Sequence, residues 1–262
     1  MRDIADAPGG LLPARVLSMI ESTPGWLSRI DAEVMHLLST MQKGRSKGSG
    51  VLEIGTYAGR SALALGASIG GGEILYLCDP YLESPHTPML DQVDGTRLGP
   101  QVPVGRLATC FPTLSVEFLQ CKSSELSDRG LRELKVRLVH VDGSHSYDDC
   151  RSDILWALSH IDSIMGLIVV DDYRSAHTPG VAAAFWELFL AELFEDCILT
   201  DHKAYALIGK QWTGWSRALL RVLDGHVRMY TERVGSRTLT RVLASGKPFG
   251  RPDCMAPSGS VR

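Results

Sequence analysis

No two cysteines of this chain stand in a CxxC spacing. The six, Cys78, Cys110, Cys121, Cys150, Cys197 and Cys254, are scattered, and several lie inside apolar runs. That pattern excludes a zinc ribbon and a disulfide frame and predicts buried thiols in a reducing compartment. No stretch approaches the roughly 18 apolar residues that a membrane span requires, and Met1-Arg-Asp-Ile-Ala-Asp6 does not lead a basic segment into an apolar one. The expectation is a soluble cytoplasmic protein with no membrane partner. Internal repeats and low-complexity tracts are absent as well.

What is present suits one elaborated α/β domain: 262 residues, 44% hydrophobic and 22% charged, enough to bury a full core. The net charge of −3 is uneven, because from residue 211 onward nine Lys and Arg face three Asp and Glu. A basic tail can bind nucleic acid. Here Arg217, Arg221, Arg228, Arg233, Arg237 and Arg241 are spread among Leu, Val and Met at near-helical spacing, which reads as a solvated helix face and not a nucleic-acid partner.

Apolar periodicity divides the chain into three parts. Residues 1–48 form a helical preface, with Leu12, Val16, Met19 and Ile20 on one face, a break at Pro24-Gly25, and Ile30, Val34, Leu37, Leu38 and Met41 following at three-to-four spacing. Residues 49–210 alternate short apolar runs with helices, which predicts parallel strands at 51–54, 74–79, 116–121, 136–142 and 166–171 with helices at 59–69, 124–133, 147–161 and 178–194 on both sheet faces. Two further strands, 197–200 and 204–208, are joined only by Asp201-His-Lys203, too short for a crossover, so they must be antiparallel. The fold expected is a Rossmann-like, mostly parallel seven-stranded sheet ending in an antiparallel hairpin. Residues 211–262 read as a basic helical extension with a fraying tail. The proline-rich interval 80–115 shows little periodicity and reads as a lid or substrate wall.

Three sites carry chemistry. Gly55 and Gly59 follow an apolar strand and open a helix, where backbone can approach a ligand. Asp79 ends the next strand, placed to accept both hydroxyls of a ribose. The spacing Glu53-x-Gly55-x-x-x-Gly59 is not GxGxxG, since Tyr57 and Arg60 stand where glycines would be needed, and this argues against a dinucleotide oxidoreductase. Then Asp142 emerges from the apolar strand Leu138-Val-His-Val141, and Asp171 and Asp172 from the next strand, at the sheet edge where open α/β folds bind ligands.

The run Glu53-Ile-Gly-Thr-Tyr-Ala-Gly-Arg-Ser-Ala62 resembles the first motif of the class I S-adenosylmethionine-dependent methyltransferases. Among them it is similar to the metal-dependent small-molecule O-methyltransferases of the catechol, caffeoyl-CoA and macrolide-sugar groups, over about residues 50–210. The resemblance implies that Glu53, Gly55, Thr56, Tyr57 and Gly59 surround the methionine part of the cofactor, with Ser61 near its carboxylate. It makes Asp79 the ribose ligand, sets Ser123 and Ser124 beside the adenine, and has Asp142 border the cofactor.

Three converging carboxylates repel one another unless a cation or a bound proton intervenes. A Mg²⁺ ion held by Asp142, Asp171 and Asp172 is the simplest answer, and the resemblance implies the same triad. Such an ion would lower the pKa of a bound hydroxyl and align it with the methyl group. His145, where catechol-type relatives carry a lysine, is the candidate base, with Asp142 beside it in the catalytic set. Tyr173, Arg174 and His177 are candidates for substrate contact, and Trp212 and Trp215 for an acceptor pocket or an oligomer interface, which the terminal helices would favour. The function expected is methylation of a hydroxyl on a small polar, sugar-like natural product. The runner-up is a repurposed, hydroxylase-like member of the same fold or an N-methyltransferase. Methylation of nucleic-acid amino groups is disfavoured, because no (Asn/Asp)-Pro-Pro-(Tyr/Phe) turn follows the fourth strand.

Overall fold

The computed structural model describes residues 11–47, 50–81, 92–93, 96–129 and 131–246. Two helices come first, α1 (Ala14–Ser22) and α2 (Arg29–Met41), separated at the expected Pro24-Gly25 break. The central part runs β1 (Gly50–Ile54), α3 (Arg60–Gly66), β2 (Ile74–Cys78), the short ladder β3 (Gln92–Val93) and β4 (Thr96–Arg97), α4 (Gln101–Cys110) and β5 (Ser115–Leu119). It continues with β6 (Leu138–Val141), α5 (Tyr147–His160), β7 (Gly166–Asp171), α6 (Pro179–Leu190), β8 (Asp196–Leu199) and β9 (Lys203–Ile208). The chain then adds α7 (Trp215–Val222), β10 (Val227–Val234) and β11 (Arg237–Ala244).

Nine strands form the main sheet in the order β10-β11-β8-β9-β7-β6-β1-β2-β5. Strands β5, β2, β1, β6 and β7 are mutually parallel, and β9 runs antiparallel between β7 and β8, as the short Asp201-His-Lys203 connection requires. The mostly parallel Rossmann-like sheet with its antiparallel hairpin is therefore present. Two strands exceed the seven expected, and they come from the segment read as a helical extension. That segment holds one helix, α7, and a hairpin whose β11 adds to β8 in parallel. The misreading has a simple source: arginines four apart share a face in a strand as well as in a helix. Thr and Val recur through 227–244, and Gly235, at φ +61°, makes the turn. Arg237 reaches back to the end of α6, donating to the Phe189 carbonyl at 3.0 Å.

Two other expectations need correction. The helix predicted at 124–133 is replaced by two single 3₁₀ turns, Ser123–Glu125 and Leu131–Glu133. The interval 80–115, read as a lid or wall, contains α4, a crossover helix whose Pro103 falls in the first turn, where the missing N–H breaks no bond; residues 82–91 and 94–95 of that interval lie outside the described residues. Cys254 does too, while the other five cysteines are free and buried.

Period-two alternation divides the core between the sheet's faces. Val51, Leu75, Leu138, Leu167, Val169 and Leu207 pack under α1, α2, α3 and α7. Leu52, Tyr76, Val139, Ile168, Val170 and Ala206 pack against α5 and α6. Arg137 fastens α2 beneath the sheet. Only 1% exposed, it donates to the Ser39 carbonyl at 2.9 Å and to Gln42 Oε1 at 3.0 Å, and pairs with Glu73 at 2.5 Å. No described helix is long and apolar enough to cross a membrane.

Candidate functional site

Parity decides what meets at the C-terminal edge of the parallel strands. Glu53 on β1 is paired in register with His140 on β6, and Asp171 on β7 with Lys203 on β9. Both residue types follow the face of Val51, Leu138, Val169 and Leu207, so a row of polar groups crosses four strands beneath α2. Its bonds are short and its members buried. His140 Nδ1 lies 2.9 Å from Glu53 Oε1, His140 Nε2 lies 3.1 Å from Lys203 Nζ, and Lys203 Nζ lies 2.8 Å from Asp171 Oδ1.

Burial, seconded by the Lys203 charge, lowers the pKa of His140. Its neutral imidazole then carries the proton on Nδ1 toward Glu53 and accepts from the ammonium at Nε2. Burial works against the charge on Lys203, but Asp171, Asp142 and Asp31 more than offset it and hold its pKa above the ordinary value. Burial also works upward on Asp171, yet Lys203 holds it below the usual carboxylate range. Asp142 is the converse case: burial, then repulsion by Asp171, push it well up.

Asp172 does not join this pair. At φ +57° it leaves β7 on a turn, and its Oδ2 lies 3.8 Å from His145 Nε2. Burial and Asp171 raise its pKa, and His145 pulls the other way. His145 itself is half exposed, with its side chain at 50%. Two features fix its turn: Ser146 Oγ caps α5 by accepting from Asp149 N at 3.1 Å, and Gly180 of α6 comes so close that a Cβ there would sit 2.6 Å from Tyr147 N.

The fit of Mg²⁺ can be judged on this geometry. A buried ammonium touches the expected ligand Asp171 at 2.8 Å, and Asp172 Oδ2 turns to His145 at 3.8 Å. Among the described residues, no three His, Cys, Asp or Glu side chains are arranged to hold a metal ion. The donor set as placed does not suit a divalent cation.

On the cofactor side, the glycines are required by the packing of the protein itself. A Cβ on Gly55, at φ +84°, would lie 1.8 Å from the Asp142 carbonyl oxygen, and one on Gly59 would lie 2.7 Å from Pro103 Cβ. Close approach of β6 and α4 by itself excludes side chains there. Asp79 holds the loop, its Oδ2 accepting from Thr56 N and Tyr57 N, both at 2.9 Å, and its Oδ1 from Tyr81 N at 2.9 Å. Thr56 Oγ1 and Glu53 Oε2 are buried without a partner, and two such orphaned acceptors beside a glycine turn fit a polar ligand there. Ser61 is buried in the first turn of α3. Ser123 and Ser124 lie in the 3₁₀ turn after β5, where Ser123 donates to Asp153 of α5.

That contact gives a pH prediction. Burial pushes the Asp153 carboxyl up to about 6, with Ser123 opposing and Asp149 assisting. A folded value above the unfolded one favours the protonated form, so the contribution of Asp153 is fully present below about pH 4 and is lost as pH rises through the folded value. Asp153→Asn is expected to stabilise the protein by about 2–3 kcal/mol at neutral pH and to be neutral near pH 4. Thermal melts at the two pH values check this, and an equal gap at both contradicts it.

Other candidates fall away from the site. Tyr173 is fully buried, its hydroxyl donating to the Thr200 carbonyl at 3.0 Å, and Arg174 pairs with Asp201 at 3.1 Å. Trp212 donates to the Gly166 carbonyl at 3.0 Å at the opposite end of β7 and belongs to the core. A cavity of about 390 Å³ lies beside the β8–β9 turn, lined among others by Ser28, Arg29, Thr200, His202 and His226.

Sequence reasoning missed His140 and Lys203. The signal for His140 was available, since a polar residue inside Leu138-Val-His-Val141 must find a partner when buried. The signal for Lys203 was register, because an antiparallel strand closing on Asp171 puts this lysine opposite it.

Comparison with known proteins defines the class. Residues 52–173, which carry the glycine loop, Asp79, Asp142, His145 and both later aspartates, match the family described as a methyltransferase domain. The fold is shared by CalS11, solved as a calicheamicin methyltransferase, at TM-score 0.53 and 14% identity over 80% of this chain and 99% of that one. A second, apo structure of CalS11 is described as a TDP-rhamnose 3'-O-methyltransferase (TM-score 0.52, 14% identity, 75% of this chain and 92% of that one). TomG, an O-methyltransferase from Streptomyces achromogenes solved with S-adenosylmethionine, superposes at TM-score 0.51 and 16% identity over 75% and 87% of the two chains. No curated protein matches the sequence. Residues 52–173 thus match a methyltransferase domain, and the chain shares the fold of solved methyltransferases.

Proposed function

We propose that this protein transfers the methyl group of S-adenosylmethionine to a hydroxyl of a small polar acceptor. The observation that carries this reading is the meeting, within one methyltransferase domain, of the Gly55–Asp79 loop and the His145–Asp172 pair at a single sheet edge. When bound, the donor supplies a sulfonium whose methyl group is open to attack by oxygen. Thr56 and Glu53 offer it unpartnered acceptors, while Asp79, Ser123 and Ser124 flank the nucleoside end.

His145 Nε2 takes the hydroxyl proton as the new O–C bond forms and the C–S bond breaks with its electron pair passing to sulfur. Asp172 stabilises the resulting imidazolium. A polyol-like acceptor is in keeping with the sugar substrate named for CalS11, whose fold this chain shares. The Mg²⁺ that the resemblance implies takes no part in this reading, because the carboxylates offer it no ligand set.

The test is mass spectrometry of the full chain with S-adenosylmethionine and a panel of deoxysugar nucleotides and polyols. A gain of one methyl with matching release of S-adenosylhomocysteine supports the reading. A gain of one oxygen, or none with any acceptor, rejects it. Asp79→Ala is expected to weaken S-adenosylhomocysteine binding by about ten- to a hundredfold, the value of a lost hydrogen bond to a charged group, as read by calorimetry; unchanged affinity removes Asp79 from the cofactor site.

A further inference from the structure

The acidic groups at the sheet edge are met by a cation that the chain itself supplies. Lys203 is 1% exposed, and its backbone is paired directly with Asp171, so the ammonium is delivered by strand register and not by the swing of a surface side chain. Its Nζ lies 2.8 Å from Asp171 Oδ1 and 3.1 Å from His140 Nε2, and His140 is fixed in turn by Glu53 at 2.9 Å. A divalent ion on Asp171 would sit about 2.0–2.6 Å from the same carboxylate, against a buried like charge with nowhere to retreat. Lys203 also lies outside residues 52–173, in a part of the chain that the methyltransferase family does not describe.

We propose that Lys203 is the resident cation of this site: its ammonium occupies from within the sheet the place of a divalent metal, pins Asp171, and leaves deprotonation of the acceptor to His145 and Asp172. The proposal rests on the methyltransferase reading. Lys203 acts as a positioning residue, since it touches Asp171 and His140 and not the reacting atoms.

The full chain, stripped of metal and in the presence of S-adenosylhomocysteine, is titrated with Mn²⁺ while the free ion is followed by electron paramagnetic resonance. Wild type is expected to leave the free-ion signal undiminished, and methyl transfer to be unchanged by EDTA. Lys203→Gln, once its circular dichroism and S-adenosylhomocysteine affinity are shown intact, is expected to take up about one Mn²⁺ per chain on the freed carboxylates.

A saturable Mn²⁺ site in wild type that Asp171→Asn abolishes overturns the proposal. So does a folded Lys203→Gln protein that takes up no Mn²⁺. If Lys203→Gln fails to fold, the wild-type titration and the EDTA assay decide. Failure of the underlying reading is distinguishable: wild type then binds no S-adenosylhomocysteine at all, whatever the Mn²⁺ result.

Discussion

Alanine at position 145 is expected to lower kcat by about two to four orders of magnitude, the range that a positioned general base contributes, while S-adenosylhomocysteine affinity stays unchanged. His145 is half exposed at the rim, so its loss empties no core, and its 3.8 Å approach to Asp172 Oδ2 gives a transferred proton an immediate counter-charge. The Ser146 cap and the close packing of Gly180 keep the turn in place without the imidazole. The loss should therefore fall on kcat and spare KM, a split that a folding defect does not produce. Added imidazole should restore part of the rate, and Asp172→Asn should lower it by a smaller factor because the base remains. Full activity in the alanine protein would remove His145 from the mechanism.

Much of this site could be read from the residues alone. Strand ends at Ile54, Cys78, Val141 and Asp171 fell within a few residues of those expected, because continuous apolar runs bounded by Gly, Asp or Pro have few alternatives. With the strands placed, Asp79, Asp142 and Asp171 reach one edge whatever the loops do. The partners of those carboxylates were harder to read. Whether Asp171 faces a metal or an ammonium depends on which residue of β9 lies opposite it, and the sequence reading left Lys203 in the connection before a strand starting at 204. The C-terminal hairpin was hidden for a related reason: spacing of four satisfies both helical and strand periodicity, and only the choice of partner strand separates them. The glycines could be located from the sequence, which shows that a side chain is missing but not which protein atoms crowd its place.

Replacing Asp171 with asparagine is expected to destabilise the protein by about 3–5 kcal/mol, the usual cost of leaving a buried charge without its partner and a large share of the roughly 5–15 kcal/mol that holds a domain folded. The asparagine fills the same space, so the effect belongs to the charge. Lys203 would be left with His140 Nε2 at 3.1 Å. The pH dependence follows from Asp171 lying below its ordinary value despite its burial. A depressed folded pKa gives stability that is present above the unfolded value, about pH 4, and is lost as pH falls through the folded one. Urea denaturation of wild type and variant should thus differ most at neutral pH and converge on acidification. Adding Lys203→Met to the variant removes the stranded ammonium and should recover a coupling energy of about 1–3 kcal/mol. If the two substitutions are simply additive, or the gap widens in acid, Asp171 and Lys203 are not the ion pair on which the electrostatics of this site depend.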